Sequence, residues 1–340
     1  MQIRKLVATA CAGAVGGLLS TAAIAQDIKF GIGIPEGDFP EYNALVRFKE
    51  YVEFKTNGEL SVRLFPNNQL GGEREMLEQV QQGSLELTFV ADGAIAGFYP
   101  PMQVWSIPYL FESAPVAWDV MNGTFADDMR GDILEQTGLR ALAFSQNGFR
   151  SFTNNIRPII NPEDMAGMKI RTMESPVFME LVNSLGATAT PISGSEVLMA
   201  LRQGVVDGQE NPPAVVYGGG LGEVQKYYTL DEHVFGLHAI IANEEWFSGL
   251  SESHQQIIKD AALLMAWTEN LQKTEGDWLF SEKLRDELGM EIHVSTPEEK
   301  AAFKEITQAP VEAFIRTQVG DELVDELLGR VGEAKSRLYD

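Results

Sequence analysis

Met168-Lys169-Ile170-Arg171-Thr172-Met173 is the stretch from which the fold is read, because it sets one arginine inside a strand-like run. Upstream, Asn161-Pro162-Glu163-Asp164-Met165-Ala166-Gly167 reads as a helical turn that Gly167 stops, since glycine accepts the left-handed geometry at a helix end. The backbone is then expected to extend from Lys169 to Thr172. Side chains alternate along a strand, so Lys169 and Arg171 share one face and Met168 and Ile170 the other. Ser175-Pro176 ends the strand and opens a helix over Val177 to Leu185. An arginine at the carboxyl end of a strand, just before a helix, sits where open α/β sheets bind small ligands. Its planar fork can grip a carboxylate through two parallel hydrogen bonds, which lysine cannot reproduce. The stretch alone equally allows a surface arginine on a sheet edge.

Outward from this stretch, strands and helices alternate. Asp27 to Ile34 has a strand's period of two, Pro40 to Thr56 fits a helix, Leu60 to Phe65 a strand, Gly72 to Gln82 a helix and Leu85 to Val90 a strand. Loops at these strand ends hold Glu73, Ala91 and Asp92. Gly31-Ile32-Gly33 with Gly37 falls short of a dinucleotide fingerprint, because the third glycine is misplaced and Pro35 intrudes. Tyr99 to Phe111, rich in aromatics and proline, reads as packed loop. Leu139 to Phe144 is a further strand, and Gln146 to Phe152 carries the first crossing between domains. Thr190 to Gly194 reads as a turn before a helix from Ser195 to Gln203, with Ser193 and Glu196 as its capping box. Val205 to Pro212 is a short strand entering a polar turn, and apolar Phe235 to Ala242 returns the chain to the first domain.

Ser251 to Leu288 lacks proline and has apolar residues at helical spacing; its 38 residues would make a helix of roughly 57 Å, longer than one domain is wide. Pro297 to Ile315 and Asp321 to Leu338 read as terminal helices. The pattern predicts an α/β fold of two domains, 26–147 plus 237–276 and 148–236 plus 277–340, with a ligand cleft between them.

Residues 1–25 read as a secretory signal peptide: Arg4 and Lys5, an apolar Gly/Ala-rich run from Leu6 to Ile24, and the small-x-small site Ala23-Ile24-Ala25. The one cysteine, Cys11, lies in it without the apolar run a lipobox requires. Cleavage near Ala25 leaves about 315 residues, free of cysteine, which excludes disulfides and thiol chemistry and predicts a periplasmic protein without membrane insertion. The net charge of −23 becomes −25 once Arg4 and Lys5 are gone (−23 − 2), which argues against nucleic acid and anionic membranes as partners.

Four histidines, His233, His238, His254 and His293, lack metal-ligand spacing and are read as surface or packing residues. There is no Gly-x-Ser-x-Gly elbow, and no phosphate loop; Gly218-Gly219-Gly220-Leu221-Gly222 lacks a following basic residue. No cofactor and no metal are expected. The chain offers recognition groups without a nucleophile or a poised base, although an extracytoplasmic enzyme with Asp92 or Glu73 as base is the rival reading.

Asn147-Gly148-Phe149-Arg150, Pro162-Glu163-Asp164-Met165-x-Gly167-x-Lys169-Ile170-Arg171-Thr172, Ser195-Glu196-Val197-x-x-Ala200-Leu201 and Val205-Val206-Asp207-Gly208-Gln209-Glu210-Asn211-Pro212 together resemble the DctP-type substrate-binding proteins of tripartite ATP-independent periplasmic (TRAP) transporters. Pro66-Asn67-Asn68-Gln69-Leu70-Gly71 and Gly222-Glu223-Val224-Gln225-Lys226 extend the resemblance across the chain. It implies two α/β domains joined by crossing strands, a long helix under both, and closure around one organic acid such as a C4-dicarboxylate or sugar acid. It implies delivery to a sodium-driven pair of membrane permease subunits. By the same resemblance Arg171 bridges the carboxylate, Arg150 adds a second positive contact, and Asn211 hydrogen-bonds the carboxylate region. Asp92, Glu73, Gly194 and Tyr217 complete the candidate ligand-binding set. Where sialic-acid-binding members carry an aromatic, this chain has Gly194; where they place a glutamate, it has Ala91, with Asp92 next. Space at Gly194 and an acid at Asp92 suit a ligand with hydroxyls or an amine. A sulfonate ligand, or a sensor role feeding a membrane receptor, stays open.

Overall fold

The computed structural model describes residues 26–340. The signal-peptide reading of residues 1–25 lies outside them. The first half builds the expected alternation: β1 (Gln26–Ile32), α1 (Pro40–Lys55), β2 (Leu60–Phe65), α2 (Glu73–Gln81), β3 (Leu87–Ala91) and α3 (Asp92–Ile95). The aromatic segment forms a 3-10 helix over Pro100–Ser106 and drives Trp105 into the core against Phe111 and Phe125. Then come α4 (Ala114–Met121), α5 (Thr124–Thr137) and β4 (Leu139–Asn154).

The second half holds β5 (Lys169–Thr172), α6 (Pro176–Ser184), β6 (Thr188–Pro191), α7 (Val197–Arg202), β7 (Gly208–Asn211), α8 (Pro213–Gly218), β8 (Tyr227–Asn243) and α9 (Glu244–Gly249). The chain closes with α10 (Glu252–Asp286), β9 (Glu291–Val294), α11 (Pro297–Val319) and α12 (Asp321–Tyr339). One sheet runs β2-β1-β3-β8-β4-β7-β5-β6, with β9 beside β8. β1, β2 and β3 are mutually parallel, as are β5, β6 and β7, whereas β4 and β8 run antiparallel to each other and to β7 and β3, and β9 runs parallel to β8.

β4 and β8 are the long pair at the centre, at 16 and 17 residues. Sequence reading stopped the first at Phe144 and began the second at Phe235. Ser145-Gln146-Asn147-Gly148 carries turn residues, yet each strand supplies the other's hydrogen bonds straight through this region. The cost of the polar insert is a register shift between Gln146 and Gly148, where Gly148 takes φ +112° opposite Gly236. β3 joins one half of this ribbon at His238–Ala242 of β8, and β7 joins the other at Ser151–Asn154 of β4. Gly208 permits that second junction, since a Cβ there would overlap the Thr153 carbonyl oxygen.

Two local readings need correction. Thr190-Pro191 belongs to strand β6, because Thr188–Pro191 pairs with Lys169–Thr172. The Ser193–Glu196 capping box does not form: Ser193 Oγ turns to Ser195 Oγ at 3.1 Å, and a 3-10 turn over Gly194–Glu196 precedes α7. Capping boxes stand instead at Asn161–Asp164 and Thr296–Glu299.

Candidate functional site

Parallel strands β6, β5 and β7 point their carboxyl ends at one cleft, and β5 delivers Arg171 there from between its neighbours. The side chain is 4% exposed, and its Nε donates to the Ile192 carbonyl at 2.8 Å. No carboxylate lies within ion-pair distance of Arg171 among the described residues; the residue lines the cleft, and its two terminal nitrogens make no hydrogen bond to the described residues. Burial pulls its pKa down to about 10; Glu210 opposes that fall and the like charge of Arg150 adds to it. The site therefore holds a desolvated cation whose bidentate edge is free for an anion.

Arg150 lines the same cleft but is already engaged. Its Nε meets Glu210 Oε2 at 2.5 Å, and Nη2 meets Glu210 Oε1 at 2.7 Å and the Glu210 carbonyl at 2.8 Å. Both side chains are almost fully buried. Burial alone would raise the Glu210 carboxyl, but Arg150 and His233 outweigh it and hold it at about 2. Arg150 thus contributes positive potential with most of its hydrogen-bonding fork spent. Asn211 sits beside it on β7, giving one side-chain amide hydrogen to Gln209 Oε1 at 2.5 Å while its main-chain carbonyl accepts the Tyr228 hydroxyl at 2.7 Å.

The cleft has a volume of about 390 Å³, within the range of small-molecule sites. Arg171, Arg150, Asn211, Glu73 and Gly194 all line it. Glu73 opens α2, and its Oε1 accepts the Ala91 amide at 3.0 Å. A Cβ on Gly194 would meet nothing within 4 Å, so the space read from the sequence is present. Asp92 stands behind the wall: its carboxylate accepts the Gly93 and Leu237 amides at 2.9 and 3.4 Å, and burial against the pull of Arg150 leaves its pKa raised to about 6. Tyr217 is outside the lining, its hydroxyl donating to Glu287 at 2.6 Å and its ring tilted against Phe280 at 5.6 Å.

Asn67, Asn68, Asn147, Ser195 and His238 also line the cleft and were not singled out from sequence. Asn147 could have been, since it opens the Asn-Gly-Phe-Arg run; its Oδ1 is buried without a partner among the described residues. His233 and His238 are neither surface residues nor plain packing. His238 bonds Glu269 Oε1 at 2.8 Å, while burial, reinforced by Lys273, pulls its pKa down to about 4, so a neutral ring faces the cleft. His233 stacks on Phe152 at 4.2 Å and bonds Asp231 at 2.9 Å, with Glu210 at 3.6 Å. Beyond it, Lys273 and Glu41 form a buried ion pair between α10 and α1 that lacks hydrogen-bond geometry. No cluster of three metal-ligating side chains occurs among the described residues.

Burial lowers the His233 pKa, but Asp231 and Glu210 prevail and raise it from 6.5 to about 9. A folded value above the unfolded one means that the contribution to stability is complete below pH 6.5 and is lost as pH rises to about 9. Burial raises Glu269 to about 8 and Asp277 to about 7, and these add losses in the same direction. Stability measured by chemical denaturation is expected to fall between pH 6.5 and 9, and His233→Gln to flatten part of that slope. An unchanged slope in the variant would assign the loss to other groups.

The profile of the bacterial extracellular solute-binding proteins, family 7 (DctP), matches residues 33–318. A solute-binding protein of Verminephrobacter eiseniae is 36% identical over 284 residues, covering 84% of this chain and 83% of the relative. The C4-dicarboxylate-binding periplasmic protein DctP of Rhodobacter capsulatus is 32% identical over 327 residues, covering 94% and 96%. Among solved structures, the sugar acid binding protein of Advenella mimigardefordensis in complex with galactonate superposes with a TM-score of 0.87 at 31% identity, covering 91% of this chain and 99% of that one. Family match, identity and fold coincide over nearly the whole described chain, which belongs to the DctP family of extracellular solute-binding proteins, the substrate-binding proteins of TRAP transporters.

Proposed function

We propose that this chain captures a small organic acid in the periplasm, holding its carboxylate on Arg171, and delivers it to a sodium-driven TRAP permease. The observation that carries the reading is the buried, unpaired fork of Arg171 at the head of a 390 Å³ cleft. With Arg150 committed to Glu210, the cleft has one free cation edge and so favours a single carboxylate at that end. Its other walls carry Asn67, Asn68, Asn147 and Ser195, which hydrogen-bond hydroxyls, and Glu73, which opposes a second negative charge. A sugar acid fits this distribution better than a C4-dicarboxylate, in keeping with the galactonate bound by the Advenella protein.

Closure is part of the proposal. Residues 26–147 plus 237–276 form one lobe and 148–236 plus 277–340 the other, hinged where β4 and β8 pass between them. The register shift at Gln146/Gly148, with Gly236 opposite, supports that placement, as does α10 spanning 35 residues. A signal peptide ending near Ala25 would carry the chain to the periplasm, where proteins named in this family reside.

A thermal-shift screen over sugar acids, dicarboxylates, keto acids and sulfonates tests the reading. A sugar acid at a hundred times its Kd should add about 2.7 kcal/mol of stability. The bound protein should scatter X-rays as a more compact particle, and EDTA should leave binding unchanged. If no acid shifts the melting midpoint, or the scattering curves coincide, the reading fails.

A further inference from the structure

α10 buries one face against the body of the protein and leaves a strongly apolar one in solvent. Ala262, Met265, Ala266, Lys273, Gly276 and Phe280 point inward. Trp267 and Trp278 are each 63% exposed and Leu271 59%, with Leu263, Leu264 and Leu279 at 40–46%. Leu264, Trp267, Leu271, Thr274 and Trp278 follow one another at spacings of three and four, the seam by which one helix packs along another. With a tryptophan side chain carrying roughly 200 Å², these six apolar residues expose on the order of 600 Å² per chain. That reaches the upper end, about 600 Å², of the largest patch on a typical monomer. Two such faces joined would bury about 1,200 Å², the lower bound for a stable interface.

We propose that a second copy of this chain covers this stripe, its α10 lying antiparallel across the first in a two-fold dimer. Charge complementarity selects the register. The antiparallel seam that sets Trp267 of one copy against Trp278 of the other also sets Leu271 against Thr274 and Asp260 against Arg285, where the cross-copy pair would replace or share the exposed contacts of Arg285 with Asp286 and of Asp260 with Gln256. By symmetry each match occurs twice. The net charge of −25 after cleavage (−23 − 2) repels two copies at long range, so the apolar area and the two Asp260–Arg285 pairs must hold the contact locally. The cleft residues Arg171, Arg150 and Asn211 are not on α10, so pairing leaves the ligand site free.

Sedimentation velocity over roughly 1–300 µM tests this, since a dimer responds to concentration by mass action. The mass should rise from that of one chain toward twice that value. Trp267→Glu combined with Trp278→Glu should weaken association at least tenfold while leaving the melting midpoint and organic-acid affinity in place. Should that double variant fold poorly, Asp260→Arg should weaken the dimer and Arg285→Asp in the same chain should restore it, a rescue that only this register produces. A wild type that stays monomeric throughout overturns the proposal, and so does a wild-type dimer that the substitutions leave intact. A monomer that instead binds phosphatidylcholine vesicles through the tryptophans would assign the stripe to a lipid surface and also overturn it.

Discussion

Arg171→Lys is expected to weaken organic-acid binding by a hundredfold or more in isothermal titration, with the fold retained. Lysine keeps the charge but loses the fork: it cannot donate from Nε to the Ile192 carbonyl while presenting two parallel donors to a carboxylate. Its ammonium is also more strongly hydrated than a guanidinium and would sit in a site that is nearly closed to water, since Arg171 is 4% exposed. A buried ion pair broken on one side costs on the order of 3–5 kcal/mol, and 1.4 kcal/mol is a factor of ten in Kd. Affinity within a few-fold of wild type would remove Arg171 from the centre of the site and leave the cleft without an anchor.

Glu210→Gln is expected to be the most destabilising conservative change in the site, lowering unfolding free energy by about 3–5 kcal/mol in chemical denaturation. The substitution keeps the shape but leaves Arg150 buried with only the partial compensation of Asp92 and Glu73. It also removes one of the two carboxylates that hold His233 protonated, so the alkaline loss of stability from His233 should be smaller and complete at a lower pH in this variant. The same change frees the fork of Arg150. Dicarboxylates should therefore gain affinity relative to sugar acids, while a uniform loss for both classes would show that Glu210 does not set the single-anion character of the cleft.

Much of the architecture could be read locally. The period-two runs at Asp27–Ile34 and Leu60–Phe65, the proline at the start of α1 and the unbroken apolar spacing of Ser251–Leu288 each encode their element within a short window, and the structure follows them. The centre of the sheet was less legible, because Ser145-Gln146-Asn147-Gly148 has the composition of a turn and becomes strand only when β8, some 90 residues later, supplies partners. Ser193 and Glu196 have the right spacing for a capping box, but the chain spends that segment on a 3-10 turn at the cleft, and the local preference loses.

The site divides in the same way. Arg171 at a strand end before a helix, and the open position at Gly194, were visible in the linear order of residues, since a strand's alternation and a missing side chain are local properties. That Arg150 gives most of its fork to Glu210, that Asp92 lies behind the wall, and that Tyr217 turns to Glu287 were not. Sequence alone determined which cation could bind an anion; tertiary structure decided which cation was free to do so. Whether a charge is paired depends on carboxylates brought close from 60 or more positions away, and burial decides how strongly each pair is held.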